Sequence, residues 1–128
     1  MEKPGSEKFN ILLRTKLFSI EIIKLCDVLN KKKVEYYLRD QLGRSGTSIG
    51  ANLHEGKYSS SPLEFCRYYQ IALKSGYEAM YWLDVLEGSC KINEINKLKL
   101  ELIEIIKIIT SIILKIKAKL RLEKTKQK

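Results

Sequence analysis

The residues whose spacing suggests a specific role are five polar side chains between positions 41 and 55. They follow one another at steps of three or four, so on an α-helix they form a continuous ladder along one edge. The polar ladder consists of Gln41, Arg44, Ser48, Asn52 and Glu55. One interpretation is catalytic, with Glu55 as an acid–base carboxylate. The interpretation that we favour is structural, because hydrogen-bonded polar groups on a packed helix set its register; a solvated surface strip is the third alternative.

The two charged residues of the polar ladder need partners on another helix. Arg44 and Glu55 are separated by three helical turns, or about 16 Å, so they cannot pair with each other. The sequence after residue 61 predicts another helix that returns alongside the first. In that register we expect Glu55 to lie near Arg67 and Arg44 to lie within one turn of Glu78.

The sequence offers few side chains for metal binding or for nucleophilic catalysis. His54 is the only histidine, so one subunit offers no multi-histidine metal cluster and no second catalytic imidazole. A ring of subunits could gather one His54 from each copy, but a surface histidine is the simpler interpretation. Cys26, Cys66 and Cys90 are far apart and predict reduced thiols. We therefore predict no catalytic residues, no metal, no cofactor and no enzymatic activity.

Small residues form another strip of this helix, beside its apolar face. Each interior glycine costs a helix about 1 kcal/mol relative to alanine, so Gly43, Gly46 and Gly50 indicate a compensating close contact. The next helix also carries small residues at Ala72, Ser75 and Gly76. We expect Gly46 to meet the region of Ala72, and Gly43 to meet Ser75 and Gly76. Small residues would then oppose small ones and let the two backbones approach.

Hydrophobic periodicity predicts the helices that position these residues. It indicates helices over about 7–30, 35–57, 62–87 and 93–122, the third beginning with Ser61 as N-cap and Pro62 at the first helical position. The connections are short, which makes consecutive helices antiparallel neighbours. The predicted fold is all-α, an antiparallel up-down four-helix bundle. It forms a single domain over residues 1–128, with a flexible N-terminus at 1–6 and a basic tail at about 121–128.

The first and fourth predicted helices carry more apolar surface than one core can bury. In the first helix Phe9, Leu12, Leu13, Ile20 and Ile23 lie away from the main stripe, and in the fourth Leu100, Ile103 and Leu114 do so. Proteins usually cover such a surface with a partner. We therefore predict a homo-oligomer. The apolar run from Leu100 to Leu120 is interrupted by charged residues, which argues against a membrane span and for a soluble cytoplasmic protein.

The formal net charge of +9 indicates an anionic partner. Cations concentrate at the end of the chain, where lysines can neutralise phosphates without reading sequence. The candidate nucleic-acid contacts are Lys115, Lys117, Lys119, Arg121, Lys124, Lys126 and Lys128. The alternative is a solvated tail whose charge only keeps an oligomer soluble. Tyrosines could stack on bases if exposed, although packing at interfaces is their commoner use in bundles.

Two consecutive stretches carry a family resemblance. The sequence contains SIGANLHEG, followed by SPLEFCRYYQIALKSGYEAMYWL. It resembles the 23S rRNA intervening-sequence proteins, in which a Ser-Ile-x-x-Asn-x-x-Glu-Gly helix precedes one with an Ala-x-x-Ser-x-x-Glu core. The matching residues are Ser48, Ile49, Asn52, Glu55, Gly56, Phe65, Ala72, Ser75 and Glu78. The sequence departs from the family at His54, where alanine is usual.

The resemblance implies a four-helix bundle that assembles into a homopentameric ring, with no established catalytic activity. It also implies kinship with the accessory variability determinant of diversity-generating retroelements, a basic bundle that binds nucleic acid and a reverse transcriptase. The predicted function is a non-enzymatic oligomeric scaffold that binds RNA or DNA through basic helix ends and can hold a nucleic-acid enzyme. The alternative is a protein-interaction module, such as a reverse-transcriptase accessory protein, without its own nucleic-acid role.

Overall fold

A computed structural model describes residues 6–126, and the side chains of residues 11–126. This part of the chain contains four helices and no strand: α1 (Ser6–Lys31), α2 (Tyr36–Gly56), α3 (Pro62–Ser89) and α4 (Asn93–Lys126). The all-α prediction is therefore confirmed. Predictions that concern residues 1–5, the Phe9 side chain and Lys128 lie outside the described residues.

The helix boundaries follow local signals in the sequence. Ser61 caps α3 by accepting a hydrogen bond from the Glu64 amide at 3.1 Å, with Pro62 at the first helical position, as predicted. The Glu64 carboxylate accepts hydrogen bonds from the amide and the hydroxyl of Ser60. In a capping box it would accept one from the Ser61 amide. At its other end α3 continues through Gly88 to Ser89, two residues beyond the predicted end, and α4 continues four residues beyond its predicted end at Leu122.

The turn between α1 and α2 is fixed by backbone hydrogen bonds. The Val34 amide donates to the Leu29 carbonyl at 3.0 Å and the Lys33 amide donates to the Asn30 carbonyl at 3.0 Å. Lys33 has a φ of 59°, the left-handed conformation that commonly ends a helix. These bonds fix the direction in which α2 leaves α1.

Each helix packs against two others, so that α2 lies between α1 and α3, and α4 lies between α3 and α1. The core lies between them and takes apolar side chains from every helix. The largest side chains that are fully buried are Phe18, Ile11, Ile22, Leu25, Leu29, Leu42, Ile49, Leu53, Leu83, Leu86, Ile95 and Leu102. Among residues 6–126, no helix is both long enough and apolar enough to cross a bilayer.

Candidate functional site

The middle of the polar ladder joins α2 to α3. The hydroxyl oxygens of Ser48 and Ser75 are 3.0 Å apart, within hydrogen-bond distance. The side-chain nitrogen Nδ2 of Asn52 donates to the Ser48 backbone carbonyl at 2.8 Å and to the Ser48 hydroxyl at 3.0 Å. These groups are half-buried, so they gain hydrogen bonds where water is partly excluded. This part of the ladder has the arrangement of a register-setting contact.

The ends of the polar ladder do not pair as predicted. Arg44 is exposed, and its Nε donates to the Asp40 carboxylate at 3.0 and 3.1 Å instead of approaching Glu78. Asp40 is one turn away on the same helix, which makes it the nearest available anion. Glu55 and Arg67 are both exposed, and neither forms an ion pair within residues 11–126. Gln41 is half-buried, and its carbonyl accepts a hydrogen bond from the Ser45 hydroxyl at 2.8 Å.

The register between α2 and α3 differs from the predicted one. The predicted register would place Ser48 opposite position 71, whereas Ser48 meets Ser75, which is about one helical turn further along α3. Gly56 confirms this register, because a Cβ there would lie 3.2 Å from the Tyr68 Cβ. Arg67 lies near Glu64 instead. Hydrogen bonds from Ser60, and to a smaller extent the charge of Arg67, lower the pKa of the Glu64 carboxyl.

Gly43, Gly46 and Gly50 of α2 face α1, not α3, so that part of the prediction is wrong. A Cβ on Gly46 would lie 2.8 Å from Cγ1 of Ile22, and one on Gly50 would lie 3.2 Å from the Thr15 carbonyl oxygen. On Gly43 it would lie 3.7 Å from the Cys26 sulfur. The three positions form a strip turned away from the polar ladder. Close packing on one side of α2 and hydrogen bonding on the other therefore involve different neighbours.

The small residues of α3 serve two interfaces. Ala72 is fully buried, and Ser75 makes the contact with Ser48. A Cβ on Gly76 would lie 3.3 Å from Cγ1 of Ile106 on α4 and 3.9 Å from Cδ1 of Ile49 on α2. Gly76 thus permits the approach of α4 and does not meet Gly43.

Candidate groups for metal or redox chemistry are dispersed. No cluster of three or more His, Cys, Asp or Glu side chains within the described part of the chain could hold a metal ion. His54 and Glu55 are exposed neighbours on α2. Cys26, Cys66 and Cys90 are free thiols. Burial raises the pKa of Cys26, against a smaller lowering effect of Arg39.

The candidate nucleic-acid contacts lie on the last turns of α4. Lys115, Lys117, Lys119, Arg121, Lys124 and Lys126 are all exposed. None of them forms an ion pair with a carboxylate of residues 11–126. Helical spacing puts Lys115, Lys119 and Lys126 on one side and the other three on the opposite side. Cationic charge thus surrounds this end of the helix.

Two ion-pair clusters escaped the sequence analysis. Arg14 binds Glu101 through Nη2 at 2.6 Å and Nε at 3.1 Å, which links α1 to α4. Lys99 reaches Asp84 at 2.7 Å and Glu87 at 3.0 Å, which links α4 to α3 and raises the pKa of the Lys99 ammonium. Helical spacing within one element gives no signal for such pairs, because the partners belong to different helices.

The fold and the motif both have known counterparts. The model of the 23S rRNA-intervening sequence protein family matches residues 7–111. The chain is also similar to a crystal structure of a protein of unknown function from the S23 ribosomal protein family of Bacteroides thetaiotaomicron VPI-5482. The two are 31% identical with a TM-score of 0.77, over 80% of this chain and 97% of that one. No curated protein matches this chain. The family match covers most of the sequence and includes the polar ladder, so the chain belongs to the 23S rRNA-intervening sequence protein family.

Proposed function

We propose that this protein is a non-enzymatic, oligomeric four-helix scaffold that binds RNA or DNA without sequence specificity through its basic helix ends. The observation that carries the proposal is the last part of α4, where six cations are exposed and have no carboxylate partner among the described residues. Such cations can exchange counterions for nucleic-acid phosphates, and this exchange favours binding at low salt.

The test of nucleic-acid binding compares two variants of equal net charge. In the first, Lys117, Lys119 and Lys124 are replaced by glutamine, and in the second, Lys16, Lys74 and Lys91 are replaced. All six lysines are exposed. Fluorescence anisotropy with a labelled RNA at low salt should show a large loss of affinity for the first variant and a small loss for the second. Equal losses would mean that only net charge matters, and no binding by the wild-type protein would refute the proposal.

An antiparallel up-down arrangement of the helices is part of the proposal. It is supported by contacts between neighbouring helices, whose residue numbers run in opposite directions. Gly43 lies near Cys26 and Gly50 lies near Thr15; similarly, Lys99 contacts Asp84 while Gly76 lies near Ile106. Connections of a few residues between consecutive helices support the same arrangement.

Homo-oligomerisation is supported by apolar side chains that the monomer leaves exposed. On α1 these include Leu13, Leu17 and Ile23, and on α4 they include Leu100 and Leu114, each more than half exposed. A ring of five copies is the assembly that the family resemblance implies. Light scattering should give a mass above that of the monomer at micromolar concentration. Leu17→Glu should lower this mass, whereas Ile71→Glu on α3 is the control at a side chain of similar exposure.

The second candidate function is a protein-interaction module, for example one that holds a reverse transcriptase. The same exposed apolar surface supports it, because partner proteins also cover such surfaces. A purified reverse transcriptase that binds after nuclease treatment, and binds equally to the variant with three C-terminal glutamines, would favour this function. Binding that disappears with nuclease would favour the nucleic-acid scaffold.

The proposal that the protein is not an enzyme is supported by the separation of its candidate chemical groups. Arg44 is held by Asp40, while His54 and Glu55 lie exposed at the other end of α2. Three free cysteines support a cytoplasmic location, because reducing compartments keep thiols from pairing.

A further inference from the structure

We propose that the turn between α1 and α2 is a second nucleic-acid site, which binds single strands by stacking bases on tyrosine. The inference rests on the proposed function, that the protein binds nucleic acid, and assigns it a surface that the C-terminal lysines do not include. The site comprises Lys32 and Lys33 in the turn and Tyr36, Tyr37 and Arg39 at the start of α2.

The aromatic part of this site is open to solvent. Tyr36 is 67% exposed and Tyr37 is 60% exposed, on consecutive residues of one helix. Tyrosine is enriched at interfaces, where its ring packs against a partner and its hydroxyl stays hydrated. Aromatic rings beside cations are the combination with which proteins bind single strands, because each base offers a face for stacking.

The backbone of the turn that carries the lysines is fixed by the fold. Lys33 occupies the left-handed position that ends α1, so the backbone of the lysine turn is fixed by the hydrogen bonds around it. Lys32 and Lys33 are exposed and form no ion pair within residues 11–126. Lys31 differs, because it lies 3.3 Å from the Asp27 carboxylate.

Arg39 is the most ordered cation of the site. Its Nε donates to the Val34 carbonyl at 3.1 Å, and its guanidinium carbon lies 5.3 Å from the centre of the Tyr36 ring. These contacts use one nitrogen and one face of the guanidinium. Its terminal amino groups form no hydrogen bond with the described residues, which leaves a fixed fork of donors for a phosphate.

An open groove continues from this site between α1 and α2. Tyr36, Arg39 and Gly43 line it together with Ile23 of α1. The absence of a side chain at Gly43 keeps the groove open beside Cys26. A strand stacked on the tyrosines would therefore have an apolar floor next to it and Arg39 at its edge.

The two basic surfaces are far apart. Val28 near the end of α1 and Glu94 near the start of α4 line one groove, so the lysine turn lies at the start of α4. Lys124 is about 30 residues, or about 45 Å, further along α4. A stacked hexanucleotide is about 20 Å long at about 3.4 Å per nucleotide, so it can occupy only one surface at a time.

The experiment uses the full-length protein and a six-nucleotide RNA of adenines with one 2-aminopurine, at low salt. Tyr37→Ala should lower the affinity of the protein for this RNA about fivefold or more. It should also reduce the quenching of 2-aminopurine fluorescence that stacking causes. Tyr77→Ala is the matched control, because Tyr77 is 57% exposed on α3, and its affinity should stay close to that of the wild type. Circular dichroism verifies that both variants are folded.

A second pair of variants tests the phosphate contacts. Lys32→Gln should reduce the slope of log affinity against log salt by about 0.7, the value for one phosphate on a single strand. Lys74→Gln, at an exposed lysine of α3, should leave the slope unchanged.

The outcomes separate this inference from the proposed function. If Tyr37→Ala and Lys32→Gln behave like their controls while glutamines at Lys117, Lys119 and Lys124 abolish binding, the second site is refuted and the proposed function stands. If the wild-type protein binds neither the hexanucleotide nor a long RNA, both are refuted. Selective losses at Tyr37 and Lys32 support the second site.

Discussion

The two sides of α2 pack by different physical means. Towards α1 the helix presents glycines, and Gly46 and Gly50 let side-chain and backbone atoms of α1 come within contact distance. Towards α3 it presents Ser48, which meets Ser75 across the interface. Shape complementarity limits how closely two helices approach, while a directional hydrogen bond favours one register. The difference indicates that α2 is positioned in distance by one neighbour and in register by the other.

Substitutions on the glycine side of α2 should lower the free energy of unfolding more than substitutions on the serine side. Gly46→Val would place a branched side chain where a Cβ alone comes within 2.8 Å of Ile22, which is fully buried. We expect a loss of about 3 kcal/mol in the free energy of unfolding, because overpacked cores shift side chains and backbone. Chemical denaturation measures this loss.

Gly88→Ala is the control for that prediction. Gly88 lies within α3, and a Cβ there would have no atom within 4 Å. The substitution should raise the free energy of unfolding by up to about 1 kcal/mol through helix propensity. If Gly46→Val were as harmless as Gly88→Ala, the close-packing account of α2 and α1 would be wrong.

Substitutions on the serine side of α2 should cause a smaller loss in the free energy of unfolding. Ser48→Ala removes a half-buried hydroxyl that meets both Ser75 and Asn52, and we expect a loss of about 1 kcal/mol. A double-mutant cycle with Ser75→Ala measures the coupling between the two hydroxyls by denaturation. A coupling energy near zero would show that the serine pair does not contribute to the register of α2 and α3.

The exposed end of the polar ladder should have little effect on stability. Arg44→Ala removes a pair with Asp40 in which the Arg44 side chain is 77% exposed. Exposed pairs of this kind contribute about 0.5 kcal/mol or less on a helix. The melting temperature, measured by a thermal melt, should therefore change only slightly. A loss as large as that of Ser48→Ala would restore a structural role for the whole ladder.

The smallest effect concerns the acid dependence of the α2–α3 connection. Hydrogen bonds from Ser60, helped by Arg67, lower the pKa of Glu64 in the folded state. A lowered folded-state pKa means stability that is present above the unfolded pKa of about 4.5 and is lost as the pH falls through the lower folded value. Glu64→Gln should therefore flatten the decrease in melting temperature between pH 5 and pH 3.

Much of the fold could be predicted from periodicity and capping residues. The apolar stripe of Phe18, Ile22 and Leu25 is buried, and Ser61 with Pro62 begins a helix, because both signals are local. The candidate site was predictable only in part. The polar ladder includes a real contact at Ser48, but Arg44 and Glu55 are exposed and do not pair across the interface, because packing decides which edge of α2 meets α3.

The sequence by itself determined which residues share a helical face, because the spacing of 3.6 residues per turn is a property of one helix. It thereby specified a glycine strip and a polar ladder on different sides of α2, and a cationic end on α4. Only the tertiary structure decided that the glycines meet α1, that Ser48 meets Ser75 and that Arg14 reaches Glu101. Those choices depend on how several helices pack at once, and no spacing within a single helix encodes them.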